Sequence, residues 1–272
     1  MFYYLKVLRK SSSLYQYCKI VYSLCLILPI NNKPTVYYNC PPAYLLVFHG
    51  SRDPRPQKAA LELALLIAQG LPAHSPVEIA ALELAAIPLH QKIINLALGS
   101  PVVRIIPLFL LPGVHVTQDI PEAIEQARQV LPPSANLELC PHLGSYPCLI
   151  SLLSGQLAQF SGDGGVLLAH GSRRRESQQF ISNLADKLGL ISAYWSVEPH
   201  LSTQIEKLAN SGKKNLFILP YFLFTGGITD AIAQTIPTVQ TQLDGIQLCL
   251  GQPLGATPEL AQIILEEIHA IG

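Results

Sequence analysis

From Tyr44 onward, short apolar runs rich in branched side chains alternate with stretches in which apolar residues recur at helical spacing. That alternation is the pattern of βαβ units, and it predicts a parallel sheet. Strands are expected at Tyr44–Phe48, Val77–Leu84, Val102–Leu110 and Asn136–Cys140, with a helix in each interval. The series then begins again, with strands at Val166–Ala169, Ser192–Val197, Leu216–Leu223 and Ile246–Leu250.

The two rounds also agree in their letters, which a common fold class alone would not require. His49-Gly50-Ser51-Arg52 returns as His170-Gly171-Ser172-Arg173, at an offset of 121 residues. Ile105-Ile106-Pro107-Leu108-Phe109-Leu110 is echoed by Ile218-Leu219-Pro220-Tyr221-Phe222-Leu223 at 113, and Leu143-Gly144 by Leu254-Gly255 at 111. The offsets drift only as loops absorb small deletions. The chain is thus expected to be α/β, with two tandem, duplicated βαβ domains whose mainly parallel sheets face across a cleft. Residues 44–160 form the first, residues 165–272 the second, and the junction is the flexible Ser161-Gly162-Asp163-Gly164-Gly165.

In an open parallel sheet, ligands bind beyond the carboxyl ends of the strands. His49 ends its strand, His115 lies in the turn after Leu110, and Glu83 stands near the end of the second strand, so all three are expected on that rim.

Residues 1–43 have a different character, with tyrosines among basic and serine residues and then the apolar stretch Ile20–Ile30. They are expected to be a poorly ordered extension. Lys6, Arg9, Lys10 and Lys19 ahead of that stretch are laid out as in a signal peptide, but Tyr22 interrupts it and no small-residue cleavage site follows. Over the 272 residues, 18 basic side chains balance 18 acidic ones, which removes any overall field favouring nucleic acid or an anionic membrane. No uncharged apolar run reaches transmembrane length. The six cysteines form no C-x-x-C pair, which argues for a reducing, cytoplasmic setting over a disulfide framework.

The run His49-Gly50-Ser51-Arg52-Asp53-Pro54, the segment Ala81-Leu82-Glu83-Leu84-Ala85, and Pro107 through Leu110-Leu111-Pro112-Gly113-Val114-His115-Val116 to Asp119-Ile120-Pro121 resemble the sirohydrochlorin chelatase family. The resemblance extends from Tyr44 to the C-terminus and is to the long form, in which two units are fused. It implies a lyase that inserts Fe²⁺, Co²⁺ or Ni²⁺ into sirohydrochlorin, for sirohaem or cobalamin. The metal is then a substrate, no cofactor is permanently bound, and the chain is a monomer with an internal pseudo-dimer. His49 and His115 are implied in metal delivery and proton removal, with Glu83 as an auxiliary ligand or base. Neutral imidazole suits either task, since it titrates near pH ~6.5 and ligates borderline first-row ions.

A carboxylate-rich macrocycle also calls for cations and hydroxyls around a flat apolar slot. Ser51, Arg52, Arg55 and Lys58 follow His49 at the start of a helix, whose N-terminus itself favours an anion. His170, Ser172 and Arg173 are their counterparts in the second domain. Equally, the basic side chains can be read as a solvated helix face. Aligning the repeats puts Ile228 opposite His115 and Tyr194 opposite Glu83, so the second domain is expected to carry a degenerate site that helps to bind the macrocycle.

Two other functions compete. A non-catalytic tetrapyrrole or metal-ion carrier would need the same histidines but would show no turnover. A histidine phosphatase would need an arginine before His-Gly, where this chain has Phe48. No glycine-rich dinucleotide loop and no Walker loop occurs.

Overall fold

The computed structural model describes residues 40–271. The expectation for residues 1–43 therefore falls largely outside the described residues, and its last member, Ala43, already belongs to the first strand. In the first half, β1 (Ala43–Phe48), α1 (Pro54–Gln69), β2 (Val77–Ala81), α2 (Leu89–Ala97), β3 (Val102–Pro107), α3 (Ile120–Arg128), β4 (Asn136–Leu139) and α4 (Leu149–Ala158) follow in order. The second half repeats the series as β5 (Gly164–Ala169), α5 (Arg175–Lys187), β6 (Ile191–Tyr194), α6 (Leu201–Asn210), β7 (Asn215–Pro220), α7 (Gly227–Thr241), β8 (Gln247–Leu250) and α8 (Pro258–Ile271).

All strand pairs are parallel, and the sheets have the same order, β2-β1-β3-β4 and β6-β5-β7-β8. β1 is buried along its whole length, as befits a central strand covered on both faces. The chain leaves β1 toward β2 but returns past it to β3. The switch of direction therefore falls between β1 and β3, and the loops following these two strands diverge there. Right-handed crossovers then send α1 to one face and α2 and α3 to the other. In agreement, Leu89, Ile93, Ile120 and Ile124 cover Leu45, Val103 and Ile105 on the outer face of the first sheet. Leu201, Ile205 and Ile232 do the same on the second.

The inner faces share one core. Tyr44, Leu46 and Phe48 of β1 and Leu167 and Ala169 of β5 join a single cluster with side chains of α1, α4, α5 and α8. The last helix of each half reaches across to the other half. Leu265 of α8 lies against Gly70 at the end of α1, and Arg104 of β3 donates to the carbonyl of Ile268 at 3.4 Å. Reciprocally, Phe160 just after α4 stacks on Phe217 of β7 with ring centroids 5.0 Å apart. Arg104 and Phe217 are 113 residues apart, the offset of their repeat, so equivalent strand positions in the two halves meet the end of the last helix of the opposite half. No helix among the described residues is long and apolar enough to cross a membrane.

Four strands end three residues earlier than expected, β2 at Ala81 and β3 at Pro107 and, in the second half, β6 at Tyr194 and β7 at Pro220. β2 stops at Ala81, although Leu82 N–H still donates to Phe48 O and Glu83 N–H to His49 O, both at 2.9 Å. Leu84 then turns the chain with φ 57°. β3 ends at Pro107, and Leu108–Gly113 run on as a loop instead of a strand.

Candidate metal centre

The loops after β1, β2 and β3 bring His49, Glu83 and His115 together. One ligand atom from each lies within 4.8 Å of the others, and this is the one cluster of metal-ligating type found among the described residues. The Nε2 atoms of both histidines stand 3.8 Å from Glu83 Oε1, and the imidazole rings meet edge to face at 4.9 Å. Bonds of about 2.1 Å to a first-row ion would separate tetrahedral ligands by ~3.4 Å, so the triad needs only a small contraction to hold one. Its side chains are open to solvent, 56% for His49, 54% for Glu83 and 27% for His115, which leaves a face free for a large planar substrate.

Both imidazoles are oriented by their other nitrogen. His49 Nδ1 lies 3.0 Å from Gly50 O and His115 Nδ1 lies 2.6 Å from Asp119 Oδ2. A carbonyl or carboxylate oxygen only accepts, so Nδ1 carries a proton in each ring, and in the neutral ring the lone pair is then on Nε2, on the side of Glu83.

The backbone at this corner is tightly built. Gly50 adopts φ +95°, and a Cβ there would come 2.2 Å from Glu83 O. Only glycine lets the turn after β1 lie against the Glu83 peptide. His115 opens a widened helical turn, His115–Asp119, in which Ile120 N–H reaches back to His115 O. Pro121 follows, and a proline in a helix lacks the N–H and crowds the carbonyl of residue i−4, which accounts for the widening.

The loop leading to His115 is pinned by residues outside the expected site. Phe109 O accepts from Gly144 N–H at 2.9 Å and from His142 Nδ1 at 3.0 Å. Burial lowers the pKa of His142, which favours the neutral ring. Tyr221, from the second half, donates its hydroxyl to Leu110 O at 3.3 Å. The repeated Pro-aromatic letters around Pro220 were the sole available signal for Tyr221.

The structure separates the other expected site residues. Ser51 and Ser172 accept the N–H of Asp53 and Arg174 at 3.0 and 3.1 Å, so both hydroxyls close the same local turn in the two halves. The anion expected at the start of α1 is supplied by Asp53, which caps Arg55 N–H. Arg55 pairs with Asp53 at 2.6 Å and with Asp230 of α7 at 2.5 Å, which joins the rims of the two halves. These carboxylates hold its guanidinium firmly charged, and in turn Arg55 lowers the pKa of both. Lys58 is exposed beside Glu62. Arg52 and Arg173 are exposed and form no ion pair among the described residues, whereas His170 is exposed and its carbonyl accepts from Ser196.

One alignment is corrected. The register pairs Phe48 with Ala81 and Ala169 with Tyr194, so Tyr194 corresponds to Ala81. Ser196, whose N–H donates to His170 O as Glu83 N–H donates to His49 O, occupies the place of Glu83. The turn after the strand is two residues shorter in the second half, five positions from Tyr194 to Pro199 against seven from Ala81 to Pro88, so the letters beyond it align out of step with the strand. The second half still lacks the carboxylate, and Ile228 stands at the start of α7 as an exposed apolar side chain.

The CbiX family model matches twice, over residues 43–160 and 164–271. The chain is 27% identical over 240 residues to a sirohydrochlorin cobaltochelatase of Priestia megaterium, covering 82% of this chain and 77% of that protein. It is 25% identical over 244 residues to a sirohydrochlorin ferrochelatase of the same organism, covering 84% and 90%. Among solved structures, SirB from Bacillus subtilis with Fe³⁺ superposes with a TM-score of 0.70 at 21% identity, covering 84% of this chain and 94% of that one, a likeness of fold.

Proposed function

The chain belongs to the CbiX family, and from that premise we infer that it is a metal chelatase, a lyase that inserts a divalent ion into sirohydrochlorin. Fe²⁺ yields sirohaem and Co²⁺ leads toward cobalamin. The observation that carries this reading is the convergence of two imidazole Nε2 atoms and one carboxylate oxygen on an exposed rim at the switch point of the first sheet.

Insertion exchanges both pyrrole N–H protons for the ion, so the site must offer ligands that can also take up protons. His49 Nε2, His115 Nε2 and Glu83 Oε1 hold the incoming ion and accept those protons as the ring nitrogens replace them. The first half, residues 44–160, supplies this chemistry. The second, residues 165–272, carries a degenerate site and contributes support. Tyr221 braces the loop before His115, Asp230 anchors Arg55, and Arg52, Arg173 and His170, exposed and without an ion pair among the described residues, remain for the carboxylates of the macrocycle.

Arg55 is already matched by two carboxylates and Lys58 stands beside Glu62 on an exposed helix face, so both rank below Arg52 and Arg173 as partners of the macrocycle. The halves meet in cis through a shared core, so the working unit is a monomer with an internal pseudo-dimer, and free Cys40, Cys140, Cys148 and Cys249 accord with the cytoplasm. The test is anaerobic incubation of the purified protein with sirohydrochlorin and Fe²⁺, Co²⁺ or Ni²⁺ in turn, followed by visible spectroscopy. Multiple turnovers of metallated product are expected with Fe²⁺ or Co²⁺. Stoichiometric binding without product would make the protein a carrier.

A further inference from the structure

Asp119 has no role in the triad, yet its geometry is specific. Its Oδ2 lies 2.6 Å from His115 Nδ1, and it makes no other side-chain hydrogen bond among the described residues. A bland explanation is that Asp119 caps the helix that follows, but it has helical backbone angles, and no side-chain cap bond is present. The widened turn before Pro121 sets residues 115 and 119 on one side of the helix, so the pair is built into the backbone path. Among the described residues His49, by comparison, hydrogen-bonds through its side chain to just the carbonyl of its neighbour Gly50.

We propose that Asp119 is the positioning residue of the metal centre. By accepting the Nδ1 proton of His115 it holds the neutral ring in the tautomer whose lone pair is on Nε2, and it stops the ring from turning that lone pair away from Glu83 and His49. Carboxylates that orient ligating histidines in this way set metal affinity without touching the ion. The proposal rests on the reading of His49, Glu83 and His115 as the ion-holding triad.

The experiment uses the full metal-free chain with ¹⁵N-labelled histidine, at about pH 8 where free imidazole is neutral. Long-range ¹H–¹⁵N spectra report the His115 tautomer, and Co²⁺ titration followed by visible absorption reports affinity. The native chain should show His115 protonated at Nδ1 alone. Asp119→Ala should give mixed tautomers and bind Co²⁺ about 10- to 100-fold more weakly, with an unchanged melting temperature. Asp119→Asn should lose at least as much, because its amide can donate to Nδ1 and favour the wrong tautomer, and Asp119→Glu should recover part of the affinity. An Asp119→Ala protein with native tautomer and affinity would overturn the proposal. His115→Ala serves as the control on the triad. If it alone loses Co²⁺, only the role of Asp119 falls; if it binds Co²⁺ like the native chain, the triad falls and the proposal with it.

Discussion

Replacing Gly50 with alanine probes the corner on which the metal centre depends, and Gly171→Ala is its internal control. Both glycines have φ +95°. An L-residue there costs roughly 1–2 kcal/mol in either half, from the clash of Cβ with the following carbonyl. The surroundings differ. At Gly50 the new Cβ meets backbone, with Glu83 O at 2.2 Å and Glu83 C at 3.0 Å, so that carbonyl must retreat by about 0.8 Å merely to reach 3.0 Å. The same peptide segment donates to His49 O and carries the Glu83 side chain, so the retreat displaces two members of the triad together.

At Gly171 the nearest atoms are Val197 Cγ2 at 2.9 Å, Tyr194 Cβ at 3.0 Å and Ser196 Oγ at 3.1 Å, all from side chains. Misplacing a reacting group by ~1 Å costs about 10²-fold in rate. Gly50→Ala should therefore lower insertion by about 10² and weaken Co²⁺ binding, while Gly171→Ala loses ~1–2 kcal/mol of stability with turnover within a few fold. Urea midpoints, Co²⁺ titration and turnover, measured in parallel, separate the two effects. The reasoning fails if Gly50→Ala keeps native turnover, or if Gly171→Ala loses as much activity.

Tyr221→Phe removes the hydroxyl that braces Leu110 O across the halves; a loss of about 1 kcal/mol, a fall of ~2–4 °C in melting temperature, is expected, and an unchanged melting curve would speak against it. Asp230→Asn should destabilise the chain at neutral pH. Arg55 depresses the Asp230 pKa below its unfolded value of 3.8, so that stability is present above pH 3.8 and disappears as pH falls through the folded value; a gap between native and variant urea midpoints that stays open well below pH 3.8 would contradict this. Burial pushes the Cys140 thiol up to about 11, so at pH ~8 iodoacetamide should label the exposed Cys40, Cys148 and Cys249 far faster than Cys140, and equal rates by peptide mass spectrometry would refute the packing around Cys140.

Much of the fold was legible because a duplicated βαβ chain repeats both its hydrophobic period and its letters. The rim positions of His49 and His115 followed from where the apolar runs ended, since strand ends in parallel sheets all point one way. Strand ends themselves were less legible: Val77–Leu84 keeps its branched and apolar residues beyond Ala81 with no glycine or proline to mark a stop, yet β2 ends there and Leu84 turns the chain with a positive φ. The same changed turn hid Ser196 behind Tyr194. Charge was legible only in part, for a different reason. Arg55 is a cation near the site on any one-dimensional reading, but its partner Asp230 is 175 residues away and comes into range only when the halves pair. Gly144 and Tyr221 stood out only as letters of the repeat and His142 not as a site residue, because they act on backbone carbonyls of the loop before His115, and such contacts leave no periodic trace.

The account stands on the first half holding the chemistry, and steady-state insertion into sirohydrochlorin by His49→Ala, His115→Ala and His170→Ala, measured side by side with the preferred ion at saturation, tests that most directly. The first two variants should each lose at least about 10² in kcat with the fold intact, through loss of a ligand and proton acceptor. His170→Ala should mainly raise KM for the macrocycle. If His170→Ala abolishes turnover while His115→Ala remains active, the metal centre lies in the other half and the account is wrong.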